Sequence, residues 1–125
     1  MTDLLLQPGR MKLSDWRRIQ LGGVRLKLNQ RSWSEIDASR RGIERALSSG
    51  AAIYGVNTGF GKLAQTRIAD EDLTRLQRNL VLSHAAGVGS ALGDDTVRLI
   101  LALKIASLAR GFSGVRPIAI ETKSS

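Results

Sequence analysis

The spacing of hydrophobic residues near the start of the chain predicts two short strands with a helix between them. Residues 4–6, followed by Pro8-Gly9, predict a strand that ends in a turn. Apolar and polar residues alternate over 24–28, which is typical of a half-buried strand. Between them, Ser14 is a suitable N-cap for a helix that continues to Gln20 and ends at Gly22-Gly23.

The period then changes to that of amphipathic helices. Residues 32–48 carry one apolar face, and Gly50 is a suitable C′ residue after them. After a short extended segment at 51–54, the acidic run 70–72 predicts the start of the next helix, because negative charge is favoured at the positive end of a helix. That helix is expected to end near Gly87 and Gly89.

The final predicted helix has apolar residues on nearly all of its sides. It covers residues 96–110, with Asp94 or Asp95 as its cap. A helix of this kind is normally buried, and it indicates more surrounding protein than this chain contains. The order of elements predicts an α+β fold that is dominated by helices.

Composition narrows the function classes. The chain has 125 residues and no cysteine, which excludes disulfides, thiolate metal sites and a cysteine nucleophile. The net charge of +8 suggests nucleic acid as a partner, but the arginines are scattered and aromatic residues make up only 4%, unlike a basic groove lined by stacking rings. No apolar run is long enough to span a bilayer, and no signal-peptide pattern opens the chain. We expect a cytoplasmic protein with no nucleic-acid and no membrane partner.

A glycine-rich run at 54–61, with the sequence Tyr-Gly-Val-Asn-Thr-Gly-Phe-Gly, is the strongest candidate for a site. Glycine allows positive φ and the close approach of a ligand, while Tyr54 and Asn57 supply polar groups. The glycine spacing and the residue after Gly61-Lys62 match neither a phosphate loop nor a dinucleotide fingerprint. Tyr54 could alternatively be a strand aromatic with no role in chemistry.

His84 is the only histidine of the chain. It follows Leu80 by four residues and therefore projects from the same side of the predicted helix as the apolar stripe. One interpretation is a core or interface histidine whose hydrogen bonds are satisfied; the other is a hydrogen-bonding group that lines a pocket beside the 54–61 loop. A metal site is not expected, because no second histidine, cysteine or suitably spaced carboxylate accompanies His84.

The octet 54–61 and the segment 76–89 resemble the N-terminal region of the ammonia-lyases and aminomutases that act on aromatic amino acids. The resemblance begins at the turn Leu6-Gln7-Pro8-Gly9, continues through 110–117 and covers nearly all of the chain. The pair Ser83-His84 resembles the one found in histidine ammonia-lyases, where phenylalanine enzymes carry apolar groups. L-Histidine is therefore the substrate that the resemblance implies first, and tyrosine is second.

The resemblance also implies a reaction and roles for individual residues. Histidine ammonia-lyases form homotetramers and convert L-histidine to trans-urocanate and ammonia. Their electrophile is a 4-methylideneimidazol-5-one group that forms autocatalytically from Ala-Ser-Gly. By this resemblance Tyr54 is the catalytic residue that assists proton transfer, His84 orients the substrate side chain, and Asn57 and Gly61 belong to the substrate-binding loop.

The sequence departs from the family in two respects. No Ala-Ser-Gly triplet occurs in it, so we expect no cofactor in this chain and no activity from the chain alone. Residues 1–117 are expected to form a partial N-terminal ammonia-lyase domain, truncated before the helical bundle, and 118–125 a divergent tail of the kind that a frameshift, a premature stop or a truncated gene model produces. Two alternatives stay open: a non-enzymatic interaction module that docks on a full-length homologue, and a fragment of a tyrosine or phenylalanine ammonia-lyase.

Overall fold

The computed structural model describes residues 1–59, 61–63 and 66–124. Phe60 of the predicted loop and Ser125 at the end of the predicted tail lie outside the described residues. The chain divides into two compact units, of which unit 1 consists of Met1–Ile43 with Ala91–Ser125 and unit 2 of Glu44–Ser90.

Unit 1 begins with a parallel pair of strands. Strand β1 (Thr2–Leu6) pairs with β2 (Val24–Leu28), with Thr2 opposite Val24 and Leu6 opposite Leu28. Parallel neighbours need a crossover connection, and helix α1 (Leu13–Leu21) supplies it. Strand β2 lies where the period-2 pattern predicts it, and its alternating residues are half-buried and exposed as expected. Strand β1 includes the predicted residues 4–6 and begins two residues before them.

The first helix starts earlier than its sequence predicts. Ser14 is not the N-cap; that position is held by Lys12, whose backbone N–H donates to the Asp15 carboxylate at 2.9 Å. The carboxylate therefore satisfies a backbone donor from inside the first turn, which a search for Ser or Asp before the helix misses. The predicted end is confirmed, since Gly22 has a φ of +87° and donates to the carbonyl of Arg18 at 3.2 Å.

Helix α2 (Gln30–Ser48) begins two residues before its predicted start because Asn29 caps it. The Asn29 side-chain oxygen accepts a hydrogen bond from the backbone N–H of Ser32 at 2.8 Å. Ile36 on its apolar face is buried. At the other end Gly50 has a φ of +78°, which confirms its predicted place just after the helix.

The core of unit 1 forms between the strands and three of the helices. Helix α4 (Asp94–Leu108) packs against α1, and helix α5 (Ile118–Ser124) packs against α4 and β2. The buried cluster comprises Leu6, Ile36, Ile105, Ala106, Ala109 and Ile120. Residues 118–124, set apart from the sequence as a tail, thus form a helix that contributes to the core. Their interpretation as a divergent tail stays a prediction.

Helix α4 has a large apolar surface that unit 1 does not cover. Asp94 and Asp95 lie in its first turn, after an N-cap at Gly93 rather than at either aspartate. Val97, Ile100, Leu101 and Leu103 are exposed, although Ala102, Ile105 and Ala106 on the same helix are buried. In the part of the chain that the structure describes, no helix combines the length and the apolar character needed to cross a membrane.

Unit 2 contains the end of α2, the candidate loop and helix α3 (Asp70–His84). All three residues of the acidic run lie in the first turn of α3, as predicted. The helix ends at His84, before the predicted glycines, and the backbone N–H of Ala85 closes it by donating to Val81 at 2.9 Å. With five helices and one pair of strands described, the fold is α+β and helix-dominated, as the sequence predicts.

Gly111 provides a stability test with a matched control. Its φ is +76°, and a Cβ added there would lie 2.8 Å from the backbone oxygen of Glu35. Gly9 has a similar φ of +78°, and no described residue other than its chain neighbours comes within 4 Å of an added Cβ. We expect Gly9→Ala to lower the free energy of unfolding by about 1 kcal/mol through backbone strain, and Gly111→Ala to lower it by a further ~1–3 kcal/mol through overpacking. Urea unfolding measures the free energy of unfolding of both variants. Equal losses would show that Gly111 does not pack closely against the backbone of Glu35 in α2.

Acid should weaken the contact between the two strands. The Lys27 ammonium lies 2.5 Å from the Asp3 carboxylate, and this hydrogen bond lowers the pKa of Asp3 from its ordinary value of 3.8. Because the pKa is lower in the folded state, the stabilisation is present above pH 3.8 and is lost as the pH falls through the folded-state pKa. We expect Asp3→Asn and Lys27→Met to reduce the acid dependence of the melting temperature equally. An unchanged dependence in either variant would contradict this.

Candidate functional site

The candidate loop begins with a tight turn that carries Tyr54. The backbone N–H groups of Val56 and Asn57 both donate to the carbonyl of Ile53, at 3.1 and 3.2 Å. Gly55 has a φ of +74°, a conformation that side chains with a Cβ rarely adopt. The predicted extended segment before Tyr54 has no strand hydrogen bonding. The turn, rather than a strand, therefore positions the phenol.

Asn57 holds the loop together from inside. The residue is only 1% exposed. Its Oδ1 accepts a hydrogen bond from the backbone N–H of Ile53 at 2.7 Å, and its Nδ2 donates to the carbonyl of Ala51 at 2.9 Å. Both polar atoms of the amide are thus bonded to the loop's own backbone. These contacts give Asn57 a structural role in the loop, and its predicted role in binding substrate stays a prediction.

The second half of the loop is fixed by a short antiparallel pairing. Thr58 forms an isolated bridge with Arg67. On either side of it, Gly59 N–H donates to Thr66 at 3.1 Å and Ile68 N–H donates to Asn57 at 2.9 Å. Thr58 is fully buried, and its hydroxyl donates to the carbonyl of Gly59 at 3.1 Å. The pairing anchors both ends of the segment that contains Gly61.

Tyr54 and Gly61 are the accessible members of the loop. The Tyr54 side chain is 65% exposed. Gly61 has a φ of +58° and begins a single 3-10 turn, Gly61–Leu63. Among the described residues, and leaving out the chain neighbours of Gly61, no atom lies within 4 Å of a Cβ built on it, so these residues leave its backbone open to a ligand. The loop thus presents an exposed phenol on a backbone that is held by its own hydrogen bonds.

His84 is the last residue of α3 and is also exposed. Its Nδ1 lies 2.9 Å from the carbonyl oxygen of Leu80 and 3.1 Å from the Ser83 hydroxyl. A carbonyl oxygen only accepts hydrogen bonds, so this contact requires the proton on Nδ1. In the neutral imidazole Nε2 is then an acceptor, and the described hydrogen bonds leave it available. His84 therefore does not hold the core position that one interpretation of the sequence allowed, and a position at an interface stays a prediction.

The structure therefore brings Tyr54, Asn57 and Gly61 together on one loop and puts His84 at a helix end in the same unit. That Tyr54 and His84 line a common cavity stays a prediction. Among the described residues, no group of three or more His, Cys, Asp or Glu side chains could hold a metal ion.

Sequence reasoning missed a second candidate site, in unit 1. A cavity of about 680 Å³ opens where the loops after β1 and β2 meet the end of α4, and three arginines line it: Arg10, Arg31 and Arg110. In the sequence these arginines are far apart and look scattered. Only the parallel pairing of the strands brings the two loops to one edge, so the parallel topology was the signal that could have found it.

Comparison with known proteins identifies the family. The model of the family "Aromatic amino acid lyase" matches residues 11–123. A histidine ammonia-lyase of Vibrio parahaemolyticus serotype O3:K6 (strain RIMD 2210633) is 49% identical over 116 residues, which are 93% of this chain and 23% of that protein. The chain thus spans about a quarter of the length of the relatives it matches.

Solved structures agree with this assignment. The tyrosine aminomutase of Streptomyces globisporus superposes with a TM-score of 0.89 at 30% identity, covering 98% of this chain and 23% of that one. The histidine ammonia-lyase of Trypanosoma cruzi gives a TM-score of 0.87 at 28% identity, covering 98% of this chain and 24% of that one. Fold, sequence and the match over most of the chain lead to one conclusion: this chain belongs to the aromatic amino acid lyase family.

Proposed function

We propose that this chain is part of a histidine ammonia-lyase, the enzyme class that removes ammonia from L-histidine to give trans-urocanate. The 49% identity to the Vibrio parahaemolyticus enzyme supports this reaction over that of the tyrosine aminomutase, which is 30% identical. The residue that distinguishes the substrates is His84.

The orientation of the His84 imidazole is the observation that carries the substrate assignment. With Nδ1–H donating to Leu80, Nε2 accepts a hydrogen bond from whatever donor approaches the end of α3. An imidazole side chain offers a ring N–H for this purpose, and a phenylalanine side chain offers none. Tyrosine, whose hydroxyl can also donate, is the second candidate substrate.

In this proposal Tyr54 moves the proton and the rest of the loop holds Tyr54 in place. The phenol is exposed on a turn whose backbone is bonded to the buried Asn57 amide. A rigid support of this kind keeps a general acid–base group at a fixed distance from its substrate. Gly61 lets the substrate approach the backbone.

The electrophilic group of the family has no source in this chain. It forms from Ala-Ser-Gly, and the sequence contains no such triplet. The residues present therefore do not fit this group, and we assign no step of the reaction to it here. It follows that the 125-residue chain alone should not deaminate L-histidine, because its own side chains supply no comparable electrophile.

A chimaera tests the proposed function. The aligned 116 residues of the Vibrio enzyme are replaced by those of this chain, and urocanate is followed by its ultraviolet absorbance. We expect deamination of L-histidine by the chimaera and none by the 125-residue chain.

In the chimaera, His84→Leu should lower kcat/KM for L-histidine by about 10- to 100-fold, the loss expected for one hydrogen bond to a buried partner. Ser90→Ala is the control, because Ser90 is also exposed and lies in unit 2; it should leave kcat/KM unchanged. A folded chimaera that prefers tyrosine would refute the substrate assignment.

The exposed surface of α4 supports a second candidate function, that of an interaction module. Several of its uncovered side chains are apolar, and about three quarters of the length of the Vibrio relative lies outside the part that this chain matches. The occupant that fits is that remaining part of a family chain, supplied by a full-length homologue. Co-expression with the remaining part of the Vibrio enzyme should then give a stable complex, which Ile100→Glu disrupts and Lys104→Glu does not. If the two parts co-purify equally well with either substitution, docking does not occur through the exposed face of α4.

A further inference from the structure

We propose that the arginine-lined cavity of unit 1, called here the arginine cavity, binds a small ligand with two negative charges. The cavity lies between the loop after β1, the start of α2 and the end of α4, and it is lined by Arg10, Arg31, Ser32, Glu35, Arg110 and Phe112 together with uncharged residues. The proposal involves neither Tyr54 nor His84, so it is independent of the proposed enzymatic function.

The topology of unit 1 creates the cavity. Because β1 and β2 run parallel, the loops that follow Leu6 and Leu28 emerge at the same edge. In α/β structures this carboxyl edge is where ligands bind. The volume of about 680 Å³ lies within the range of small-molecule sites.

Charge selects the class of ligand. Arg31 is paired with Glu35, with 2.8 Å between Nε and Oε1. Arg10 and Arg110 have no carboxylate partner among the residues that the structure describes. Three guanidinium groups and one carboxylate give the lining a net charge of about +2, which a dianion neutralises. Guanidinium groups also match the planar geometry of oxyanions.

Ser32 adds a neutral donor at the base of the cavity. Its residue surface is only 3% exposed, and its backbone N–H is already bonded to Asn29 at 2.8 Å. Ser32 also lines the cavity, where its hydroxyl can donate a hydrogen bond to a ligand oxygen. The N-terminal end of α2, to which Ser32 belongs, adds further positive potential.

Phe112 orients one of the guanidinium groups. The Cζ atom of Arg110 lies 5.7 Å from the centre of the Phe112 ring, which is itself 84% exposed. Between them Gly111 packs directly against the backbone of Glu35. This close packing ties the end of α4 to α2, and Arg110 lines the cavity beside it.

Two dianions of different shape serve as probes for the 125-residue chain. Inorganic phosphate is tetrahedral, whereas succinate carries two separate carboxylates, and calorimetry at low ionic strength measures the binding of each. We expect saturable one-to-one binding of at least one probe. Arg10→Gln and Arg110→Gln should each weaken it by about tenfold or more, as expected for one charge-assisted hydrogen bond. Ser32→Ala should weaken it several-fold, by about threefold to tenfold. Circular dichroism melting confirms that each variant is folded.

Arg17→Gln is the matched control, because Arg17 is exposed on α1 and does not line the cavity. Binding of phosphate alone would assign the site to phosphate-type anions, and binding of succinate alone would assign it to dicarboxylates. Equal losses for Arg17→Gln and Arg10→Gln would overturn the proposal, since the attraction would then come from the net charge of +8 as a whole. Absence of saturable binding for both probes would overturn it as well.

Discussion

Replacing Tyr54 with phenylalanine in the chimaera should lower kcat for L-histidine by about 10²–10⁴-fold, the usual range for a general acid–base group. The substitution removes one hydroxyl and keeps the ring. Tyr54 is 65% exposed, and circular dichroism melting confirms that the variant is folded. KM should change little, because the proposal assigns the phenol to proton transfer and gives the binding of the substrate ring to His84.

The rates are measured by urocanate absorbance under single-turnover and steady-state conditions. Thr74→Val, which removes a hydroxyl from an exposed position of α3, is the control and should leave kcat unchanged. A Tyr54→Phe chimaera that retains nearly full activity would show that the phenol has no part in proton transfer. Tyr54 would then be an exposed aromatic residue of the turn with no role in chemistry.

Replacing Ile120 with alanine should destabilise the protein by about 2–5 kcal/mol, as expected for a large-to-small change in a core. Ile120 is 0% exposed and belongs to the same buried cluster as Leu6, Ile36 and Ile105. Its removal leaves a cavity at the contact of α5 with α4 and β2. For a domain of this size the loss is a large part of the total stability.

Ile118→Ala provides a matched control within the same helix, because Ile118 is 58% exposed. We expect it to change the free energy of unfolding by less than about 1 kcal/mol. Urea unfolding followed by circular dichroism compares the two variants. Equal and small effects would mean that residues 118–124 do not pack on the core, and would favour their interpretation as a divergent tail.

The fold followed from the sequence where periodicity alone decides it. Strand β2 alternates strictly, and the three acidic residues at 70–72 begin α3 where the helix dipole favours them. The helix starts were less predictable. Lys12 and Gly93 hold N-cap positions without the usual side chains, and the helices are stabilised by acidic residues within their first turns instead. Parallel pairing, which creates the arginine cavity, depends on contacts between strands distant in sequence.

The sequence predicted that the candidate site is a loop, but it did not predict the hydrogen bonds inside that loop. Three glycines together with the polar groups of Tyr54 and Asn57 indicate an exposed turn, and Tyr54 and Gly61 are exposed as this implies. The burial of Asn57 was not predictable, because its amide binds backbone groups of Ala51 and Ile53 that converge only after the turn has formed. The proton position of His84 depends in the same way on the carbonyl of Leu80.

The central claim is that Tyr54 and His84 face one space that holds an aromatic amino acid. The chain has no cysteine, so nitroxide labels attach only to a Tyr54→Cys/His84→Cys double variant, and electron paramagnetic resonance measures their separation. A space for one amino acid is on the order of 10 Å across, so with the length of the labels we predict a distribution centred at about 20 Å or less. A compact unit as long as Glu44–Ser90 is about 25 Å wide. A distribution centred beyond roughly 30 Å would put the two side chains on opposite sides of it and contradict the account.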